Sequence, residues 1–125
     1  MKNRIVSVLA IVLLYGCNNN ESKDNVIGKY VNTYDSDARH YVELEADSTF
    51  LHYYQKNNEA VKENKGNWKL LITPEKKEIV FRTWKTFGYG DSSDCNGCIR
   101  FVKLEKGEMI FDSDLPKEMN FKKEE

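Results

Sequence analysis

The chain has 125 residues, of which 31% are charged, and its formal net charge is −1 at neutral pH. A chain of this length forms one domain. Its nearly balanced charge, without a basic cluster, excludes the usual composition of a nucleic-acid-binding protein. Only two prolines interrupt the chain, so most of it can form regular structure.

The N-terminal residues carry the parts of a secretory signal. A basic start precedes an apolar run over residues 5–15, and the small residue Gly16 stands directly before Cys17. The run has about eleven residues, whereas a helix needs roughly twenty to cross a bilayer, so no permanent transmembrane helix is expected. The motif Leu14-Tyr15-Gly16-Cys17 resembles the lipobox of bacterial lipoproteins, in which the cysteine is lipidated and becomes the first mature residue.

The lipoprotein resemblance implies a chain in three parts. Residues 1–16 are the signal peptide, residues 17–25 are the lipidated cysteine and a flexible polar tether, and residues 26–125 are the folded domain. Several acyl chains on one residue, palmitate among them, anchor a protein stably. We therefore expect a lipid-anchored protein of the bacterial cell envelope. Asn18 in the second mature position resembles lipoproteins that are sent on to the outer membrane.

Beyond the tether, short β-like segments alternate with turn signals, and no helical period is convincing. One side of the second predicted strand carries His40, Val42, Leu44 and Ala46. Phe50, His52 and Tyr54 share a face of the third. Gly66, inside the fourth, predicts a bulge or bend. The predicted strands cover residues 27–34, 39–46, 49–56, 60–72, 78–86, 99–105, 108–112 and 119–122.

Strands of this length, joined mostly by hairpin-length connections, predict an all-β antiparallel meander. Closing the meander into an up-and-down barrel of about eight strands removes exposed edges. The motifs Gly28-Lys29-Tyr30, Leu44-Glu45-Ala46-Asp47-Ser48-Thr49-Phe50 and Gly66-Asn67-Trp68 resemble those of small bacterial lipocalin-like envelope lipoproteins. The resemblance implies a single lipocalin-like barrel, and it does not by itself carry a function.

The most specific local motif is Cys95-Asn96-Gly97-Cys98, in the loop between the fifth and sixth strands. Asn-Gly favours a tight turn, so the two sulfurs can approach, and an oxidising compartment favours a disulfide between Cys95 and Cys98. A redox role would need the pair at a helix start, which is not indicated here. Two thiolates, helped by a histidine, are also ligands for Cu(I) or zinc.

The two histidines, His40 and His52, lie on inward faces of neighbouring strands, so we expect them close together. They are weak candidates for a metal site, together with Cys95 and Cys98, because no third ligand of evident position accompanies them. No metal or cofactor is therefore assigned from the sequence.

Aromatic side chains near the long loop are the candidate binding residues. Phe87 and Tyr89 on the loop, with Trp84 before it, are predicted to contact a protein partner or a small ligand. Interior aromatic side chains can equally fill a barrel of this size. No phosphate-binding loop, nucleophile elbow or zinc-protease motif is present in the sequence, so enzyme activity is not expected.

The sequence thus predicts a non-enzymatic, membrane-tethered lipoprotein that binds an envelope protein or a small apolar ligand through a lipocalin-like barrel. One alternative is an immunity lipoprotein that neutralises a toxin. Another is a lipoprotein of copper or zinc handling, or of envelope stress, that uses the Cys-x-x-Cys pair.

Overall fold

A computed structural model describes residues 23–88 and 98–125 of the protein. Eight antiparallel strands form a closed barrel in sequence order, with the last strand paired to the first. The elements are α1 Lys23–Val26, β1 Gly28–Asn32, β2 Ala38–Leu44, β3 Thr49–Lys56, β4 Lys62–Ile72, β5 Lys77–Arg82, β6 Ile99–Glu105, β7 Glu108–Ile110, a 3₁₀ turn Lys117–Met119 and β8 Phe121–Lys123. The predicted all-β, up-and-down barrel is confirmed.

The predicted strands agree with the observed ones, and β3 and β6 agree at both ends. The largest difference is at the end of β5, which the sequence pattern extends to residue 86. The strand ends at Arg82 because Thr83 adopts a left-handed conformation, with φ of 60°. The chain then turns inward, and the Trp84 N–H donates to the Cys98 carbonyl at 3.2 Å.

Two-residue alternation places one side of each strand in the core. His40, Val42 and Leu44 are buried on β2, as predicted, and every second residue of β3 from Phe50 to Tyr54 is buried with them. Ala46, which was predicted on the same face of β2, is exposed because the strand ends at Leu44. The hydrophobic core consists of Val26, Tyr30, Val42, Leu44, Phe50, Trp68, Ile79, Phe81, Trp84, Val102, Leu104, Met109 and Phe121.

One end of the barrel is covered by α1, and we call it the capped end. It carries the hairpins β2–β3, β4–β5 and β6–β7. Val26 of α1 is 1% exposed, and the Tyr30 hydroxyl donates to its carbonyl at 2.7 Å. The Lys23 ammonium contacts the Ser48 hydroxyl and lies 5.1 Å from the centre of the Trp68 ring. Residues 23–25, which were expected to belong to the tether, therefore lie in a helix that packs against the barrel.

The opposite end, the open end, carries the other four connections, including the long one between β5 and β6. Part of that connection, residues 89–97, and residues 1–22 lie outside the described residues. Cys17, Tyr89 and Cys95 are among them, so the lipid, the tether and the disulfide stay predictions. No helix in the described ranges has the length and apolarity needed to cross a membrane.

Gly66 lies within the continuous strand β4. Its pairing with Phe50 is in register, so the β3–β4 ladder shows no bulge there, and the predicted bulge is wrong. A Cβ atom at this position would collide with the Arg82 carbonyl oxygen and the Thr83 side chain, where the chain leaves β5. Glycine is needed because another backbone approaches closely, which is the second usual reason for a strand glycine.

Candidate ligand-binding site

A cavity of about 350 Å³ opens at the open end of the barrel. The side chains of the core cluster fill the interior below it. Its lining includes four aromatic side chains, the two histidines and two rim charges, which are Trp84, Phe87, Phe111, Phe121, His40, His52, Arg100 and Asp112. A mostly apolar cavity with a few fixed polar groups is typical of small-molecule sites.

The two histidines form a buried hydrogen-bonded pair in the wall of this cavity. Val42 of β2 is paired with His52 of β3, which places His40 diagonally next to His52. The two Nε2 atoms are 2.8 Å apart, and the side chains are only 4% and 1% exposed. The His52 ring also stacks on Trp84, with centroids 4.2 Å apart. The predicted proximity of the histidines is confirmed.

The hydrogen bonds of the pair define its tautomers. The Lys85 carbonyl lies 2.9 Å from His52 Nδ1. Because a carbonyl only accepts, His52 Nδ1 carries the proton, and its Nε2 must accept from His40 Nε2. Burial lowers the pKa of His40 to about 4. Burial, together with the neighbouring His40, lowers the pKa of His52 to about 3. Both rings are therefore neutral at pH 7.

Asn64 of β4 holds the segment that carries the Lys85 carbonyl. Its side-chain amide donates to the Thr83 carbonyl at 2.8 Å and accepts from the Lys85 N–H at 2.9 Å. Asn64 is 6% exposed, so these bonds are made away from water. The side chain thus replaces the backbone pairing that β4 and β5 lose after Phe81. Asn64 is a positioning residue for His52.

The geometry of the pair is that of a hydrogen bond and differs from that of a metal site. A zinc ion binds about 2.0 Å from each nitrogen, so two ligating nitrogens stand well over 3 Å apart. Here they are 2.8 Å apart. Residues 23–88 and 98–125 contain no group of three potential metal ligands. Cys98, directly before β6, is not among the residues that line the cavity, and Cys95 lies outside the described residues.

The three aromatic residues predicted to contact a partner or ligand do not share one environment. Trp84 is 6% exposed and belongs to the core, because the chain turns inward after β5. It can touch a molecule inside the cavity, but it presents no outer surface to a protein. Phe87 is half-buried over the cavity, and its ring centroid is 4.6 Å from that of His52. Tyr89 lies outside the described residues.

Arg100 and Asp112 at the rim were not predicted. The Arg100 Nη2 donates to the Phe111 carbonyl at 2.9 Å, and its guanidinium lies 5.8 Å from the centre of the Phe111 ring. The alternating pattern of β6 indicates the position of Arg100, since Arg100 shares the face of Val102 and Leu104, which are both buried. A residue in the inward register at a barrel end projects its side chain towards the mouth of the barrel.

The chain has the architecture of the lipocalin-like barrels, with eight up-and-down strands around a cavity at one end. Comparison with protein-family models, with curated proteins and with solved structures found no significant match. The residues of the cavity are therefore the basis for assigning a function.

Proposed function

We propose that this protein is a non-enzymatic binding protein of the bacterial cell envelope, anchored through lipid on Cys17. Its ligand is a small, largely apolar molecule held in the cavity at the open end. The ligand-binding part of this proposal depends on one observation, the cavity of about 350 Å³ with aromatic walls. That volume lies within the range of roughly 300–1,000 Å³ that ligand pockets occupy.

The chemistry of the walls supports binding over catalysis. Trp84 and Phe111 both line the cavity and pack against each other, with ring centroids 5.0 Å apart, so together they form an apolar aromatic wall. A general base works best with a pKa near the operating pH. The pKa values of His40 and His52, about 4 and about 3, are far below it. The pair therefore serves as a neutral, rigid wall.

A neutral fluorescent probe tests the proposal. N-phenylnaphthylamine should bind the native protein with enhanced fluorescence, and Thr86→Phe should weaken its binding by roughly tenfold, because the larger ring fills the lining of the cavity. Titration of both proteins under native conditions, checked by near-UV circular dichroism, measures the effect.

Thr73→Phe is the matched control, because Thr73 lies in the exposed β4–β5 turn at the capped end. It adds the same side-chain volume and should leave probe binding unchanged. Equal probe affinity in the wild type and the Thr86→Phe variant, or equal weakening by both substitutions, would contradict ligand binding in the cavity.

Lipidation at Cys17 has its own test. In a bacterial host, mass spectrometry of the membrane fraction should find a mature chain that begins at an acylated Cys17. Cys17→Ser should abolish acylation and leave the protein out of the detergent-extracted membrane fraction, because the anchor depends on those chains. Cys98→Ser is the control, and it should retain the acylated N-terminus. An unmodified Cys17 in the wild-type protein would overturn the proposed anchor.

A further inference from the structure

We propose that the ligand is a planar, ring-containing anion whose negative group binds Arg100 while its apolar part enters the cavity. This inference depends on the proposed function, because it assigns the chemical class of the molecule in that cavity. It is carried by the arrangement of Arg100, Asp112 and the aromatic walls at the rim.

Arg100 is held with its guanidinium at the cavity. It is paired with Phe81 in the β5–β6 ladder, and its side chain lines the cavity. The hydrogen bond to the Phe111 carbonyl and the contact with the Phe111 ring restrain the guanidinium at the rim. Such restraint reduces the conformational entropy that binding would otherwise remove.

Most of the donors of this guanidinium are available to a ligand. A guanidinium has five N–H donors, and within the described residues Arg100 makes one hydrogen bond and no ion pair. Its planar fork matches a carboxylate, a sulfonate or a phosphate. The rim therefore presents a positive group that is directed by protein contacts and is not neutralised by them.

The negative group at the rim, the Asp112 carboxylate, already accepts a hydrogen bond from the protein backbone. Asp112 Oδ1 accepts from the Asp114 N–H at 2.9 Å, and the Asp112 carbonyl accepts from the Leu115 N–H at 3.2 Å. These bonds close the turn that follows β7, so the carboxylate has a structural partner. Its charge remains close to the cavity, however, and it should weaken the binding of any anion.

The remainder of the lining favours an apolar ring. His40 and His52 are both neutral, because His40 donates to His52 and His52 donates to the Lys85 carbonyl, so they bring no second positive charge into the cavity. Trp84, Phe87 and Phe111 provide aromatic surface. A molecule with one anionic end and a flat apolar body matches both parts of the cavity.

Two probes with the same ring system separate this inference from the proposed function. Anilinonaphthalene sulfonate is N-phenylnaphthylamine with one added sulfonate. We expect the sulfonate probe to bind the native protein more tightly than the neutral probe. Arg100→Gln should weaken the sulfonate probe by roughly fivefold, as expected for an exposed charge pair, and should weaken the neutral probe less, because that probe has no charge to pair with the guanidinium.

Two further variants test the charge itself. Asp112→Asn keeps the Oδ1 acceptor for the Asp114 amide, and it should strengthen binding of the sulfonate probe only. Arg100→Lys keeps the charge but loses the planar fork, so its affinity should lie between those of the wild type and Arg100→Gln. Added salt should weaken the sulfonate probe more than the neutral one.

The outcomes are distinguishable. If Arg100→Gln weakens both probes equally, or if the neutral probe binds as tightly as the sulfonate, the anion assignment is wrong and the cavity remains a binding site. If neither probe responds to Thr86→Phe, the proposed function itself fails.

Discussion

Replacing Gly66 with alanine should lower the free energy of unfolding by about 3 kcal/mol, the upper range for overpacking a core. The added Cβ would collide with the Arg82 carbonyl oxygen and the Thr83 side chain, and it would lie 2.8 Å from Cε1 of Phe50. Two of these contacts are with groups at the end of β5 that cannot rotate away freely. Relief requires β4 and β5 to separate, which also disturbs the Asn64 bridge. Urea unfolding followed by tryptophan fluorescence measures the loss.

Gly107 provides the matched control for this substitution. It has a positive φ of 76°, and a Cβ there would be 3.9 Å from the nearest atom, the Cβ of Lys123. Gly107→Ala therefore adds backbone strain without a collision, and it should cost only about 1 kcal/mol. Equal losses in the two variants would show that space at Gly66 is not the limiting factor.

Acidification should destabilise the folded barrel through its histidine pair. The pKa of His40 falls from 6.5 to about 4 on folding, and that of His52 falls from 6.5 to about 3. At pH values between the folded-state and unfolded-state pKa of each histidine, the unfolded chain binds more protons than the folded one. The free energy of unfolding is therefore nearly constant well above pH 6.5, and it decreases as the pH falls towards 4. His40 alone accounts for a loss on the order of 3 kcal/mol by pH 4.

The chain has only two histidines, which makes a clean control possible. Thermal unfolding at about pH 7, 6 and 5, all above the ordinary carboxylate pKa of roughly 4, should show a decreasing midpoint for the wild type. His40→Gln should reduce the slope, and the double variant with His52→Gln should remove most of it. A double variant that keeps the wild-type slope would exclude the histidines as its cause.

Much of the fold follows from local patterns. The alternation around Val42 and Phe50 fixes which faces of β2 and β3 are buried, and short connections dictate neighbouring antiparallel strands. The proximity of His40 and His52 then follows from two adjacent strands alone. These features depend on residues close in sequence, and for that reason the sequence pattern predicts them.

The candidate site depends on contacts between residues that are distant in sequence, and local patterns do not show such contacts. The role of Asn64 arises only where β4 meets the chain beyond β5, and the role of Gly66 arises at the same crossing. The sequence pattern extends β5 to residue 86 and so places Trp84 within a regular strand, whereas Trp84 lies in the wall of the cavity. The left-handed conformation of Thr83 ends the strand earlier and directs the indole into the core.

The position of α1 has a consequence for how the protein exchanges its ligand. The chain enters the barrel at the capped end, through Lys23 and Val26. If Cys17 holds the lipid, the connection to α1 reaches at most about 20 Å even when fully extended. The capped end would then stay within that distance of the bilayer, and the cavity would open at the end of the barrel farther from the anchor. Such a protein would collect its ligand from solution or from another carrier, and it would not extract that ligand directly from the membrane that anchors it.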